Sequence, residues 1–253
     1  MIRSHALAAL VMLALLAFWE AYCRLAGVTP LVLPAPSGIV RGLIMNASEI
    51  SGHAGATIMV AAMGFVTSVT FAFLTSIALH FTPLLERALI PIFVVSQTIP
   101  LVALAPLMIL WFGFGVLPKM LLVILVTFFP ILLSLLSGYR QAPADFLDLM
   151  ASMGAGRLQR FRRVTLPAAR PAFFAGLRIS ATYAIVATIF AEYAGARSGI
   201  GIYILQAKNN FRADLVLSAV VVSAALTLAL LGTLRLIEWS TDPEIRRRRH
   251  AAG

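Results

Sequence analysis

Six apolar runs, each long enough to cross a bilayer, constrain this chain more than any other feature of its sequence. A helix rises about 1.5 Å per residue and must cover roughly 30 Å of hydrocarbon, which takes about 20 apolar residues. Suitable runs lie at about 6–22, 54–79, 88–112, 120–138, 172–193 and 215–234. The second contains no charged residue, and the fifth carries Arg178 and Glu192. Only helices and closed barrels satisfy their own backbone in lipid, and these runs are continuous rather than alternating. The expected fold is therefore all-α: one polytopic transmembrane domain covering residues 1–253. Composition agrees, with 60% hydrophobic and 12% charged residues. An average soluble domain is about one quarter charged, and disorder needs low hydrophobicity. The single cysteine, Cys23, excludes an intrachain disulfide framework or a cysteine-cluster metal site.

The first run also fits the apolar region of a signal peptide. No small-x-small cleavage site follows it, because the chain continues Phe18-Trp19-Glu20-Ala21-Tyr22-Cys23. An uncleaved anchor is expected. Six spans put both termini on one side, and that side carries fourteen Lys and Arg residues against six on the other. Basic residues gather in cytoplasmic loops, so both termini are expected in the cytoplasm. The Arg246–Arg249 run after the last span then reads as an anchor facing anionic membrane lipid, not as a nucleic-acid patch.

Prolines mark the interior of the bundle. Pro91, Pro100 and Pro106 fall in the third run and Pro130 in the fourth. Each removes a backbone donor and bends its helix, which membrane helices tolerate beside a neighbour or a cavity. Three in one run, with Gln97 and Thr98 next to Pro100, predict a bent helix lining an interior. Gln97 serves there either as an interhelical hydrogen-bonding group or as a contact for a permeant. In the first external loop, Pro34 and Pro36 favour extended backbone, and Ser37 is placed to cap a short amphipathic helix through Ile39, Val40, Leu43 and Ile44.

The loop at 139–171 has structure of its own. Pro143 and Asp145 start a helix whose apolar stripe is Phe146, Leu149, Met150 and Met153. Gly154 and Gly156 break it. A short basic helix follows through Arg157, Arg160, Phe161, Arg162 and Arg163, closed by Leu166-Pro167. Such a pair suits an amphipathic hairpin lying on the membrane or a docking element for a soluble partner. A DNA-reading helix-turn-helix is remote, because both ends of the pair are tied to spans.

At this loop the chain resembles the membrane subunits of type I ABC importers, the binding-protein-dependent permeases. Their cytoplasmic signature reads Glu-Ala-Ala, three residues, Gly, nine residues, Ile, one residue, Leu-Pro. Here it reads Asp148-Leu149-Met150, three residues, Gly154, nine residues, Val164, Thr165, Leu166-Pro167. The spacing fits throughout. Asp148 replaces Glu, Leu149 and Met150 replace the alanines, and Val164 replaces Ile. Further stretches, including Gln97-Thr98-Ile99-Pro100, Trp111-Phe112-Gly113, Gly176-Leu177-Arg178-Ile179 and Gly199-Ile200-Gly201, resemble the branch that handles nitrate, sulfonates, taurine and thiamine precursors. Ala191-Glu192-Tyr193-Ala194-Gly195 looks most like the permeases for hydroxymethylpyrimidine-type thiamine precursors.

The resemblance implies a subunit of a bacterial inner-membrane importer that is not itself an enzyme. It implies a separate ATP-binding cassette ATPase dimer that holds ATP and magnesium, an extracytoplasmic solute-binding protein, and a permease homodimer enclosing the path. This chain would bind no cofactor or metal and no nucleic acid. Neither Lys119 nor Lys208 follows a glycine, so no phosphate-binding loop of the Walker type is present. By resemblance, Phe146, Asp148, Leu149, Met150, Met153, Gly154, Val164, Leu166 and Pro167 couple the spans to the ATPase. Gln97, Thr98, Tyr183 and Glu192 are candidates for the translocation path. Tyr183 sits mid-span, where it either stacks on an aromatic solute or packs between helices. Glu192, near a span end, either pairs with Arg197 or a loop donor, or contacts solute. Arg178 is expected to reach the cytoplasmic interface. An ion-coupled transporter would show inverted repeats or mid-span acids, and neither is evident. The scattered His5, His53, His80 and His250 argue against an intramembrane enzyme.

Overall fold

The computed structural model describes residues 2–241, with side chains from Ala6 onward; the Arg246–Arg249 run lies outside the described residues. All regular structure among the described residues is helical. The first span is α1 (Ile2–Leu25). A short helix α2 (Pro36–Met45) leads into the second span, α3 (Ala47–Phe81). Pro36 occupies the first turn of α2, where its missing N–H is no loss. Ser37 does not cap this helix. Ala35 stands at the cap, while the Ser37 amide and hydroxyl both donate to Glu20 at 3.0 and 2.8 Å, tying α2 to α1.

The third expected span is not one bent helix. It is broken into α4 (Pro83–Ser96) and α5 (Leu101–Phe112), which meet at 99° across residues 97–100. Pro100, itself extended at φ −62° and ψ 124°, cannot donate to the turn before it, and its ring disfavours helical backbone at Ile99. Pro91 and Pro106 lie inside α4 and α5 without ending them.

The centre of the molecule is α6 (Val116–Arg140), packed between α3 and α10 (Arg170–Tyr193). Small residues let these helices close up. A Cβ on Gly64 would meet Val123 at 2.7 Å, one on Gly138 would meet Ala172 at 2.8 Å, and one on Gly176 would meet Ser134 at 2.7 Å. In lipid the tails are as apolar as the side chains, so close packing and interhelical hydrogen bonds drive this association. Thr127 donates to Ser68 at 2.8 Å, Ser180 donates to the Thr127 carbonyl at 2.9 Å, and Ser76 and Tyr139 share a bond of 2.9 Å.

Between α6 and α10 lie α7 (Ala144–Ser152), α8 (Arg157–Arg160), a π-helical turn Phe161–Thr165 and a single turn α9 (Leu166–Ala168). Leu166-Pro167 does not close the basic helix as expected. The chain continues through the wide turn, in which Leu166 N–H bonds five residues back to Phe161, and runs almost directly into α10. Two more helices complete the described residues, α11 (Ile200–Asn209) and the last span, α12 (Ala213–Thr241). The α11 segment lies between the fifth and sixth apolar runs, where the sequence reading named no element. Arg178 pairs with Glu238, near the end of α12, at 2.5 Å.

Candidate functional site

Three places hold the residues that the sequence singled out. The first is the loop end of the bundle. Phe146, Leu149 and Met153 are 61%, 57% and 77% exposed, so the stripe on α7 faces outward and is not used for internal packing. Asp148 lies exposed beside them, and Met150 is partly covered. The turn after α7 depends on Gly154, whose φ is +79°. Its N–H bonds to Ala151 O at 2.9 Å, and the next amide, Ala155, bonds to Met150 O at 2.9 Å. These bonds close the helix end in a conformation that disfavours any residue with a Cβ. Open space surrounds the glycine, so backbone conformation alone demands it.

Beyond Gly154 the chain is anchored rather than free. Phe161, 3% exposed, inserts among His80, Phe81 and Tyr139 with ring centroids 4.9–5.3 Å apart. Thr165 and Ala169 are buried, and Val164 and Leu166 are partly covered, while Pro167 is exposed. The hairpin therefore has an outward apolar face and a root fixed to the ends of α3 and α6.

The second place is the break in the third span. A cavity of about 500 Å³ opens there, lined by Gln97, Leu101, Leu104, Phe129, Tyr183 and Val186, with Ser96, Ile99, Leu125, Val126 and Pro130 completing it. None of these side chains is charged. The Gln97 amide donates to the Leu125 carbonyl at 3.1 Å, which fixes the broken end of α4 against α6. Tyr183 is 51% exposed on the opposite wall. The structure thus brings Gln97 and Tyr183 to one cavity. Thr98 is not among the lining residues, and its hydroxyl donates back to Val95 O at 2.8 Å.

The third place surrounds Glu192, which is wholly buried at the other end of α10 from the loop and does not line that cavity. Its carboxyl accepts from Thr57 Oγ1 at 2.9 Å and from Gly201 N–H at 2.7 Å. Thr57 Oγ1 in turn accepts from Ile200 N–H at 2.8 Å. Glu192 and Thr57 therefore satisfy the amides that open α11, Gly201 and Ile200 respectively, with side chains from other helices doing the capping. The sequence offered Arg197 or a loop donor as its partner; the donors found are instead Thr57 on α3 and the Gly201 amide in the first turn of α11. Gly199 and Gly201 have no room for a Cβ beside Glu192, and Gly199 also has φ +134°. His53 Nδ1 lies 3.0 Å from Gly199 N, and its ring meets Tyr203 at 5.3 Å. Among the described residues the buried Tyr203 hydroxyl has no hydrogen-bond partner, and burial, with Glu49 nearby, holds this phenol above its ordinary pKa.

Sequence reasoning missed Thr57, His53 and the polar ladder between α3, α6 and α10. A signal was present: Ala61, Gly64, Ser68, Ala72 and Ser76 put small residues three or four apart on one face of α3, and all are buried.

Five helices long and apolar enough to cross a membrane, with a broken sixth, and a structured loop at one end define a multi-pass membrane protein. Comparison with known proteins identifies the group. Residues 64–239 match the family of binding-protein-dependent transport system inner membrane components, and the chain belongs to it. It is 33% identical to a formylaminopyrimidine transport permease of Halalkalibacterium halodurans, over 89% of this chain and 88% of that one. It is 35% identical to a riboflavin transport permease of Chloroflexus aurantiacus, over 88% and 84%. Among solved structures, an inward-facing methionine ABC transporter, MetNI, matches with a TM-score of 0.59 at 17% identity, covering 78% of this chain and 95% of that one. The protein is thus a permease subunit of an ABC importer.

Proposed function

We propose that this permease carries a small neutral aromatic heterocycle, of the pyrimidine type found in thiamine precursors, along a path that begins at the cavity beside the broken span. The observation that carries the reading is the cavity's lining: one phenol face, one carboxamide, one serine hydroxyl and otherwise apolar side chains, with no charge. Such a wall suits a flat ring that stacks on Tyr183 and hydrogen-bonds Gln97. A sulfonate, taurine or nitrate would need a cationic or densely hydrogen-bonding wall. Two relatives at 33% and 35% identity are described as carrying a formylaminopyrimidine and riboflavin, both aromatic nitrogen heterocycles. Riboflavin is the second reading, since its ring system presents similar faces.

The path is completed by a second copy of the chain, because Gln97 and Tyr183 stand on an open side of the cavity. The outward stripe Phe146, Leu149 and Met153 docks in a groove of a separate ATPase dimer, with Asp148 pairing to a basic or amide group. ATP and magnesium bind to that partner and not to this chain. The loop end faces the cytoplasm in keeping with the arginine bias, and a solute-binding protein delivers its cargo at the α11 end. Nucleotide biases the two states of the pathway through its differential affinity for them.

The test is reconstitution with the ATPase and the binding protein in vesicles. ATP hydrolysis stimulated by a hydroxymethylpyrimidine-type solute, and not by taurine, is the expected result. Stimulation by riboflavin alone selects the second reading, and stimulation by taurine alone overturns both.

A further inference from the structure

A second cavity, of about 310 Å³, lies at the loop end under the hairpin root, where α3 and α6 finish. Its floor is the aromatic cluster of His80, Tyr139 and Phe161, and its rim carries Arg157 and Arg160. No acid lines it. Glu86 of α4, the acid whose charge acts on His80, is engaged by Arg140. Asp145 and Asp148 project from the exposed face of α7 and are not part of the wall. Among the described residues neither Arg157 nor Arg160 has a carboxylate partner, and Arg160 Nε is buried with no hydrogen-bond partner.

A buried guanidinium donor left unpaired is costly, and the ordinary remedy is an anion. Two guanidiniums at one rim offer forked donors that match the tetrahedral oxygens of phosphate better than a point charge does. The hydroxyl of Tyr139 is held by Ser76, which leaves the arginines and the His80 ring to meet the ligand. The cavity also opens where α3 and α6 end. We infer that this cavity binds a phosphate group, held by Arg157 and Arg160 over the His80–Tyr139–Phe161 floor and brought either by an anionic phospholipid or by a soluble phosphate. Occupancy fills the space between the hairpin root and the bundle, so the ligand stiffens the connection between the loop and the spans.

The experiment uses the permease–ATPase complex, delipidated in neutral detergent, and reads its thermal unfolding midpoint. Short-chain phosphatidylglycerol, inorganic phosphate and phosphate-free monoolein are added separately, at ionic strength matched with sodium chloride. At about one hundred times Kd the midpoint of the wild type is expected to rise by roughly 5 °C. The rise is expected to be absent with monoolein and lost in R157Q and R160Q, while R235Q, an exposed arginine elsewhere, keeps it. A rise with phosphatidylglycerol alone supports the site with a lipid source, and an equal rise with inorganic phosphate supports it with a soluble one. Arg157 is exposed, so R157Q tests the site without disturbing the core. No rise in the wild type, or an undiminished rise in both R157Q and R160Q, overturns the inference.

Discussion

Replacing Thr57 with valine exchanges a hydroxyl for a methyl of nearly the same size, so any loss is polar and not one of packing. Thr57 Oγ1 donates to Glu192 at 2.9 Å and accepts from Ile200 N–H at 2.8 Å, and all three residues are fully buried. A hydrogen bond to an ionisable group contributes about 1.5–3 kcal/mol, and an orphaned buried amide costs about 1–3 kcal/mol. Glu192 keeps the Gly201 amide at 2.7 Å, so the lower part of the combined range applies, about 3 kcal/mol. For a domain of this size that corresponds to a fall of roughly 6–12 °C in unfolding midpoint. Glu192→Gln should be much milder. The new carboxamide oxygen still accepts from Gly201, and its NH2 is offered to Thr57 Oγ1, whose own hydrogen then turns to His53 O at 3.3 Å. The expected loss is about 1 kcal/mol. Cys23 is the only thiol and is 6% exposed, so a fluorogenic maleimide reports unfolding of the purified permease directly. The expected order of midpoints is wild type, then E192Q, then T57V, with transport by E192Q close to wild type. A T57V midpoint within about 2 °C of wild type would refute the capping role. So would E192Q with an undisturbed midpoint and no transport, because the carboxylate charge would then be serving the path.

Three other outcomes are open to measurement. Gly154→Ala meets no steric obstacle but must hold φ +79°, a strain of about 1 kcal/mol. Solute-stimulated ATPase activity is therefore expected to fall while the unfolding midpoint drops by only about 2–4 °C, with Gly154→Asn recovering most of both, and equal activity in both variants would contradict this. Gly64→Ala places a Cβ 2.7 Å from Val123 Cβ and should cost about 1–3 kcal/mol by overpacking. Val123→Gly, which removes the Cβ that alanine would keep, should cost less in the G64A background than in the wild type, and equal costs in the two would show that the α3–α6 contact is not the source. Tyr183→Ala, half-exposed and outside the core, should raise the KM for an aromatic solute about tenfold, the equivalent of about 1.4 kcal/mol. Tyr183→Phe should leave it near wild type, and equal effects of the two would mean that the hydroxyl rather than the ring face matters.

The spans were legible because length and apolarity are properties of a run and need no knowledge of neighbours. The loop was legible because glycine spacing and an apolar stripe are local signals, and the turn at Gly154 duly has the positive φ that a glycine there permits. The 99° break was not placed, because Pro91, Pro100 and Pro106 look alike in sequence. Only Pro100 coincides with a helix end fixed from outside, by Gln97 reaching Leu125 on α6. Nor was α11 found. Its ten residues are too few to stand out, and the group that caps it, Glu192, belongs to the preceding helix and is helped by Thr57, 135 residues away from Glu192 in the chain. Interactions of that range leave no periodic trace, whereas the small-residue face of α3 did leave one.

These contacts also decide how a push on the loop would travel under the proposed coupling role. The hairpin is not hung on a flexible tether. Phe161 is seated between the ends of α3 and α6, and Ala169 lies fully buried against Gly138 where α10 begins. A displacement of α7 must therefore move the ends of three spans together, because packed interfaces shift between discrete arrangements and do not deform continuously. Those three spans are joined along their length by Gly64 on Val123, Gly176 on Ser134 and the Ser68–Thr127–Ser180 bonds. The weak line in the bundle lies elsewhere, at residues 97–100, where two short helices meet at 99° and a single side-chain bond from Gln97 ties the break to α6. Movement delivered as a body to α3, α6 and α10 is then taken up at that break, which is also where the uncharged cavity opens.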